Sequence, residues 1–226
     1  MGTAHSVIPL FIVTWQHKSV GHMDLHTSKL VVATHNEGKK RELIRLLDGS
    51  SFTVLSLADL GVNDEVDETG TTFDENARLK AAAYSSFAGN GLVLADDSGL
   101  EVDILDRRPG VLSARYGGDV SFGEKMAKLL AEIEEAGGRD RRARFVCSMA
   151  VADETGNIVV SSTGICEGTI ALEPRGEGGF GYDPIFMPDG YDLTFGELSV
   201  DVKQKISHRA MAFKQIIPFL RDYNAV

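Results

Sequence analysis

Short apolar runs alternate with amphipathic segments along the first hundred residues of the chain. The runs KLVVAT (29–34), SFTVLSL (51–57) and LVLA (92–95) are typical of buried strands. Segments with helical periodicity follow the first two runs. Strands that alternate with helices in this way predict an α/β fold.

The second half of the chain predicts a long hairpin. RARFVCSMAVAD (142–153) and GNIVVSSTGICEGTI (156–170) have the composition of long strands, and the turn ETGN joins them. A hairpin added to alternating strands and helices predicts a mixed β-sheet with flanking helices.

Capping residues predict where several helices begin. Thr72 with Glu75, and Ser121 with Glu124, have the spacing of capping boxes. A last helix is predicted from about Ser207. Neither a repeat nor a flexible linker interrupts the order, which favours one domain.

The length and composition agree with a single domain preceded by an extension. The chain has 226 residues, and its 43% hydrophobic content is ample for a core. Residues 1–22 are predicted to form a poorly ordered extension, and residues 23–226 a single bilobal domain. Two alternatives for the extension are that the natural chain starts at Met23, or that residues 1–22 form a peripheral strand.

Charge and cysteine content exclude several classes of function. A formal net charge of −10 disfavours nucleic acid as a partner, although a small anion needs only a few local cations. The apolar stretch at 7–15 is too short to span a membrane, so we expect no membrane partner. Cys147 and Cys166 lie in apolar or β-like stretches, which predicts reduced, buried thiols and a cytoplasmic location.

Two acidic segments predict a site for a divalent cation. LADDSGLE (94–101) places two aspartates directly after an apolar run, and VDETG (66–70) ends an acidic loop. Carboxylates from two loops can share Mg²⁺, which completes its shell with water and phosphate oxygens. If the strand continues through Asp96 and Asp97, the two side chains point to opposite faces and only one reaches a given cleft. The sequence leaves open which one, and also whether one merely caps a turn while the other faces water.

Three further segments carry groups that suit a nucleotide. THNEGKK (34–40) places a hydroxyl, an amide and a lysine at a helix start, which suits a phosphate. GEGGFGYDPIF (176–186) surrounds aromatic rings with glycines, which suits a planar base. KQKISHRAMAFK (203–214) offers a hydroxyl, an imidazole and a guanidinium. The alternatives are a turn with solvated lysines, a tight loop with buried aromatics, and an N-cap serine followed by exposed charges.

Six motifs in one order resemble the inosine triphosphate pyrophosphatase, or Ham1-like, family. They are ATHNEGKKREL, DETGTTFDENARLKA, LADDSGLEVD, PGVLSARY, GEGGFGYDPIF and ISHRAMAFK. The resemblance implies an elongated mixed α/β sheet with two lobes around a nucleotide-binding cleft, in a homodimer. It also implies Mg²⁺-dependent hydrolysis of ITP, dITP and XTP to the monophosphate and pyrophosphate, which cleanses the nucleotide pool.

The resemblance assigns roles to individual residues. Asp97 matches the proton acceptor, and Asp67 and Asp97 match the metal-associated acids. The positions matching substrate-binding residues are Thr34, His35, Asn36, Glu37, Gly38, Lys39, Ser98, Phe180, Gly181, Tyr182, Asp183, Lys203, Ser207, His208 and Arg209.

Two positions depart from the family pattern. His35 stands where many members have glycine, and its side chain would narrow the phosphate loop or add a contact. Asp67 stands where other members have glutamate, which shifts a metal ligand by about one methylene group and favours coordination through water.

The expected mechanism is in-line attack of water on the α-phosphorus, with Asp97 orienting or deprotonating the water. We expect Arg209 or His208 to donate to the purine 6-carbonyl, because adenine presents an amino donor there. Guanine shares that carbonyl, so its exclusion depends on the 2-position.

Competing interpretations are a nucleotide sensor without hydrolysis and a Maf-like nucleotide pyrophosphatase. The retained acids argue against the first, and GFGYDP and SHR argue against the second. A purely structural protein would not need polar segments of this kind.

Overall fold

The computed structural model describes residues 28–223 of the 226-residue chain. The predicted extension over 1–22 lies outside the described residues. The strands are β1 (Lys29–Val32), β2 (Thr53–Ser56), β3 (Leu92–Val102), β4 (Arg142–Ala152), β5 (Ile158–Ile170) and β6 (Phe186–Pro188). The helices are α1 (Glu37–Leu46), α2 (Phe73–Ala83), α3 (Phe122–Glu135), α4 (Val200–Ile206) and α5 (His208–Tyr223).

These strands form one mixed sheet in the order β2-β1-β3-β4-β5-β6. β1 pairs in parallel with both β2 and β3, since α1 and α2 provide the crossovers that parallel strands need. From β3 to β6 the neighbours are antiparallel, and β4 and β5 form the predicted hairpin. The predicted α/β fold with a mixed sheet and flanking helices is confirmed.

Side-chain caps fix the starts of α2 and α3. Thr72 and Ser121 each accept a hydrogen bond from the backbone N–H three residues on. Glu75 and Glu124 each accept one in return from the backbone N–H of the capping residue. Both predicted capping boxes are confirmed, and each cap stabilises its helix by about 1 kcal/mol relative to alanine.

Strand β3 is longer than predicted. The polar sequence DDSG predicts that the strand ends at Ala95, but β3 continues to Val102. Residues Val93 to Val102 pair in register with β4, so the ladder carries the backbone through the polar stretch. The prediction that Asp96 and Asp97 follow the end of a strand is wrong, because both lie within β3.

The C-terminal region also differs in detail. The predicted last helix is α5, which begins at His208. A short separate helix, α4, precedes it, and Ser207 lies between the two. Neither α4 nor the three-residue strand β6 was predicted, since both are too short to show a period of their own.

The core is divided along the long strands. Leu94 packs with Phe213 of α5 on one face of the sheet, and Ala95 packs with Ala77 of α2 on the other. A third core, which includes Leu100 and Leu129 of α3, forms toward the other end of β3. Within residues 28–223, no helix has both the length and the apolar character needed to cross a bilayer.

Candidate active site

The site lies beyond the carboxyl end of β1, where the chain leaves the sheet in two directions. α1 leads from β1 to β2 on one side of the strand, and β3 lies on the other side. The pairing of β1 with β3 ends at Leu94, so the next residues of β3 have an open edge on this side. Switch points of this kind leave a crevice in α/β sheets. Asp96 and Asp97 lie on this open stretch.

The two adjacent aspartates face opposite sides of the sheet, as strand geometry requires. Asp96 faces α5, where its Oδ2 accepts hydrogen bonds from Arg209 Nε at 3.2 Å and Nη2 at 2.9 Å. Asp97 faces α2, where its Oδ2 accepts a hydrogen bond from Asn76 Nδ2 at 3.0 Å. Continuation of β3 through the pair therefore assigns them different surroundings.

Asp96 is a buried anion held by cations. Its carboxylate is fully buried, and Lys39 Nζ lies 3.6 Å from Oδ2. Burial opposes ionisation, but Lys39 and Arg209 outweigh it and hold the pKa of Asp96 well below its usual value. Asp96 therefore remains charged and organises Lys39 and Arg209.

Asp97 is fixed in orientation and has a raised affinity for protons. Its Oδ1 accepts the backbone N–H of Ser98 at 2.8 Å. Burial raises the pKa of Asp97, although Lys39 and Lys80, with Nζ atoms 3.8 and 3.9 Å from Oδ1, lower it in part. A carboxylate with a raised pKa and a fixed orientation suits a general base.

A cavity of 320 Å³ opens in front of Asp97, and we call it the polar cavity. Its lining includes residues from the start of α1, the acidic loop, α2 and the turn after β3. They are Ala33, Thr34, His35, Asn36, Lys39, Glu65, Val66, Asp67, Glu68, Lys80, Tyr84, Asp97, Ser98, Val111, Ala114 and Arg115. Three cations and several carboxylates thus line one space, which suits a polyanion together with a metal ion.

The turn between β1 and α1 presents a helix start to the polar cavity. Asn36 donates its backbone N–H to Thr34 Oγ1 at 3.2 Å, and its side chain accepts the N–H of Lys39 at 3.0 Å. Asn36 is thus the N-cap of α1. The positive end of the helix dipole favours an anion at this position.

The acidic loop and α2 bring counter-charges together. Glu68 accepts a hydrogen bond from Lys80 at 2.5 Å and lies 3.8 Å from Arg115. Burial lowers the pKa of Lys80, but Asp97, Asp96 and Glu68 outweigh it, so the net shift is upward and the ammonium is stabilised. Asn76 also accepts a hydrogen bond from the backbone N–H of Gly70. The side chain that binds Asp97 therefore also holds the end of the acidic loop.

The carboxylates fit a magnesium ion that takes few protein ligands. In the described part of the chain, no three His, Cys, Asp or Glu side chains are grouped closely enough to hold a metal alone. Asp67, Glu68 and Asp97 nevertheless line the same polar cavity. Mg²⁺ usually takes one or two carboxylates and fills the remaining positions with water and phosphate oxygens. The donor set therefore fits the expected ion.

A network of buried charges connects α1, α4, α5 and β3. Lys203 donates to Glu42 Oε1 at 2.7 Å and also to Asp183 Oδ2. Arg209 donates to Glu42 Oε2 at 2.5 Å and to Asp96. Glu42 therefore bridges two cations that are almost completely buried. Burial raises the pKa of Glu42, but Arg209 and Lys203 outweigh it and the net shift is downward.

A second cavity of 60 Å³, the aromatic cavity, adjoins the polar cavity. Its lining combines aromatic rings with members of the buried network. The residues are Asn36, Lys39, Ser98, Gly99, Ser113, Ala114, Phe122, Phe145, Phe180, Gly181, Tyr182, Asp183, Lys203, His208 and Arg209. Asn36, Lys39, Ser98 and Ala114 line both cavities.

Phe180 closes the aromatic cavity from the side of α1. A Cβ on Gly38 would lie 2.5 Å from the Phe180 ring, so the ring rests directly on this glycine. Asp183 accepts the backbone N–H of Phe180 at 2.7 Å, and Lys203 Nζ lies 4.9 Å from the ring centroid. On its other side the ring borders a cavity of 220 Å³, which Gly38, Lys203 and Ser207 also line.

His208 presents a neutral imidazole to the aromatic cavity. Its ring stacks on Phe145 with centroids 4.6 Å apart. Burial, with Arg209 and Lys203 nearby, holds the pKa of His208 well below its usual value. Its Nδ1 is buried and has no hydrogen-bond partner among the described residues. Ser207 accepts the backbone N–H of Ala210 at 3.2 Å, so it caps α5.

Comparisons with known proteins agree with this geometry. The model of the Ham1 family matches residues 30–219. The chain belongs to the Ham1 family. It is 46% identical to a dITP/XTP pyrophosphatase of Bacillus subtilis (strain 168) over 194 residues, which cover 84% of this chain and 96% of that protein. For a dITP/XTP pyrophosphatase of Exiguobacterium sp., the identity is 47% over 197 residues, covering 85% and 99%.

Solved structures of Ham1 proteins have the same fold. A HAM1 protein from Coxiella burnetii matches with a TM-score of 0.77 at 38% identity, covering 86% of this chain and 98% of that one. The Staphylococcus aureus Ham1 protein matches with a TM-score of 0.75 at 38% identity, covering 86% and 99%.

The Ham1 fold brings most of the predicted site residues to the three cavities. Thr34, His35, Asn36, Lys39, Asp67, Asp97 and Ser98 line the polar cavity. Phe180, Gly181, Tyr182, Asp183, Lys203, His208 and Arg209 line the aromatic cavity, and Gly38 and Ser207 line the cavity behind Phe180. Glu37 lines none of them. Its exposed carboxylate pairs with Lys40 at 2.6 Å.

Four residues of the site were not predicted: Glu42, Asn76, Lys80 and Arg115. Asn76 follows Phe73 by three positions, and Lys80 follows it by seven, so both fall on the face of α2 that carries the buried residues. A polar residue on a buried helix face is a signal that identifies such positions. Glu42 carries no comparable signal, because it resembles any charged residue of an amphipathic helix.

Proposed function

We propose that the chain hydrolyses the triphosphates of inosine, deoxyinosine and xanthosine to the monophosphates and pyrophosphate. The junction of the polar and aromatic cavities at Asn36, Lys39 and Ser98 carries this proposal. A purine on the aromatic side extends its phosphates directly into the cationic side. The names of the relatives, dITP/XTP pyrophosphatase, support this substrate class.

The triphosphate is bound by charges and by backbone dipoles. Lys39, Lys80 and Arg115 line the polar cavity and offset the negative charge of the phosphates. The N–H groups at the start of α1 add hydrogen-bond donors there. Thr34 and Asn36 fix the turn that presents these donors.

Asp67 and Asp97 are the residues that would hold Mg²⁺, with Glu68 beside them. When bound, the ion would neutralise charge on the phosphates and make the α-phosphorus more susceptible to water. Asp96 is assigned no ligand role, because its side chain is fully buried and does not line the polar cavity.

Asp97 orients and deprotonates the attacking water. Its raised pKa makes it a better proton acceptor than an exposed aspartate. Asn76 and the Ser98 N–H each bind one of its oxygens, so the carboxylate keeps one orientation. Attack in line with the departing pyrophosphate then cleaves the α–β phosphoanhydride.

The purine binds on the Phe180 side. The aromatic cavity of 60 Å³ is far below the roughly 300–1,000 Å³ of ordinary small-molecule pockets. The Phe180 ring therefore moves away from Gly38 when the base enters. In its new position the ring provides a stacking surface for the base. Asp183 accepts hydrogen bonds from the Phe180 N–H and from Lys203, and these bonds hold the backbone of the loop in place while the ring moves.

The geometry favours His208 over Arg209 as the group that senses the purine 6-position. All three nitrogens of the Arg209 guanidinium already donate to Asp96, Glu42 or Ser98. His208 Nδ1, by contrast, is buried without a partner among the described residues. An Nδ1–H group would meet the 6-carbonyl of hypoxanthine or xanthine, and it would face the amino donor of adenine unfavourably.

We further propose a cytoplasmic homodimer whose residues 23–226 form one bilobal domain. Cys147 and Cys166 are free and buried, which supports a reducing location. β3 contributes residues to all three cores, which supports a single folding unit. Light scattering on the purified protein measures the oligomeric state.

The decisive experiment is pyrophosphate release from ITP, dITP, XTP, GTP and ATP, with Mg²⁺ and with a chelator. We expect release from the first three with Mg²⁺ and little from GTP or ATP. Nucleotide binding without release from any of them would instead indicate a sensor. Preference for a different nucleotide would remove the assignment of the purine site.

A further inference from the structure

The loop between β2 and α2 concentrates negative charge beside the active site. Asp64, Glu65, Asp67 and Glu68 fall within five residues, and the segment has no regular secondary structure. Mutual repulsion and repulsion from Asp97 favour movement of this loop away from the polar cavity. Lys80 and Asn76 hold the end of the loop at Glu68 and Gly70, so its first half, at Asp64 and Glu65, needs a support of its own before a cation arrives.

Tyr84, in the turn after α2, binds the backbone of the acidic loop. Its hydroxyl donates to the carbonyl oxygen of Asp64 at 2.8 Å and accepts the backbone N–H of Val66. The middle of the loop is therefore attached to the turn that follows α2.

His35 connects the backbone of Asp64 to the turn between β1 and α1, on the other side of the polar cavity. Its Nε2 lies 3.2 Å from the Asp64 carbonyl oxygen and 3.3 Å from the Tyr84 hydroxyl. The hydroxyl hydrogen of Tyr84 is used on that carbonyl, so Nε2 carries the proton that joins His35 to Asp64. The His35 ring also meets Tyr84 edge-on, with centroids 6.1 Å apart.

We propose that His35 is a positioning residue that latches the acidic loop to the turn before α1. Because His35 lies between Thr34 and Asn36, the latch fixes the distance between Asp67 and the helix start that receives phosphate. A glycine at position 35 would have no side chain to make this link. The proposal rests on the proposed function, since it assigns His35 to preparing the metal-binding acids.

Amide hydrogen exchange measures the latch without substrate or metal. In His35→Ala, we expect exchange at residues 63–66 to rise about fivefold, as for the loss of one hydrogen bond. Tyr84→Phe should give a similar or larger rise, and the double variant should add little. His35→Gln keeps an N–H donor and should restore part of the protection. Lys40→Ala, on the outer side of α1, should leave residues 63–66 unchanged.

Activity then separates positioning from direct substrate contact. In His35→Ala, we expect the Mg²⁺ concentration for half-maximal pyrophosphate release from ITP to rise about fivefold, with kcat restored at saturating Mg²⁺. A raised KM for ITP at saturating Mg²⁺, with normal exchange at 63–66, would show a phosphate contact and overturn the latch. Unchanged exchange in His35→Ala overturns it as well. An inactive wild-type enzyme with increased exchange in the variant would leave the latch standing and remove the proposed function.

Discussion

Replacement of Glu42 by glutamine tests whether the buried charge network stabilises the fold. The change removes the negative charge that Lys203 and Arg209 share, and these cations are 7% and 1% exposed. Loss of one partner from a buried ion pair costs about 3–5 kcal/mol. Asp183 and Asp96 still pair with one cation each, so we expect a loss near the lower end, about 3 kcal/mol.

Urea denaturation of wild type and variant measures this loss as a change in the free energy of unfolding. A loss of about 3 kcal/mol corresponds to a fall in Tm of roughly 6–12 °C for a domain of this size. Glu42→Asp keeps the charge on a shorter side chain, so its free energy of unfolding should lie between those of wild type and Glu42→Gln. The matched control is Glu37→Gln on the same helix, where an exposed pair with Lys40 contributes at most about 1 kcal/mol. Equal effects of Glu42→Gln and Glu37→Gln would refute the reasoning.

Three further outcomes follow from the site. Asp97→Asn should lower pyrophosphate release from ITP by about 100-fold or more while calorimetry still detects nucleotide binding; near-normal turnover would exclude Asp97 as the base. Phe180→Ala should reduce kcat/KM for ITP by about tenfold or more through lost stacking, and an unchanged value would place the base elsewhere. Because the net shift of the Glu42 pKa is downward, its contribution to stability is present above the usual value of 4.5 and is lost as the pH falls further. Unfolding measured below pH 4.5 should therefore depend more steeply on pH in wild type than in Glu42→Gln, and identical slopes would contradict this.

The order of strands and helices could be predicted from the sequence because each element carries a local pattern. The capping boxes, the hairpin and the amphipathic helices are each encoded by residues that are close together in the sequence. The continuation of β3 through Asp96 and Asp97 has no local signal, because its pairing partner, β4, lies about 50 residues further along the chain. Local composition favours a loop there, but the ladder with β4 determines the backbone.

The residues of the site also differ in whether a local sequence pattern identifies them. The phosphate turn and the aromatic loop could be identified from motifs, since each is contiguous in sequence. Glu42 could not, because Lys203 and Arg209 meet it only after α1, α4 and α5 have packed. The contact of Phe180 with Gly38 likewise joins segments that lie far apart in the chain.

Successive side chains of β3 point to opposite faces of the sheet, so the position of Asp97 along the strand determines that it faces the polar cavity. One extra residue inserted between Leu92 and Ala95 would turn Asp96 toward α2 and Asp97 toward Arg209, because a shift of one position reverses every side chain of a strand. Insertion of two residues would return each carboxylate to its own face, displaced by about 7 Å along the strand. Surface loops generally tolerate added residues, whereas insertion of either one or two residues at this point in β3 would displace the two carboxylates.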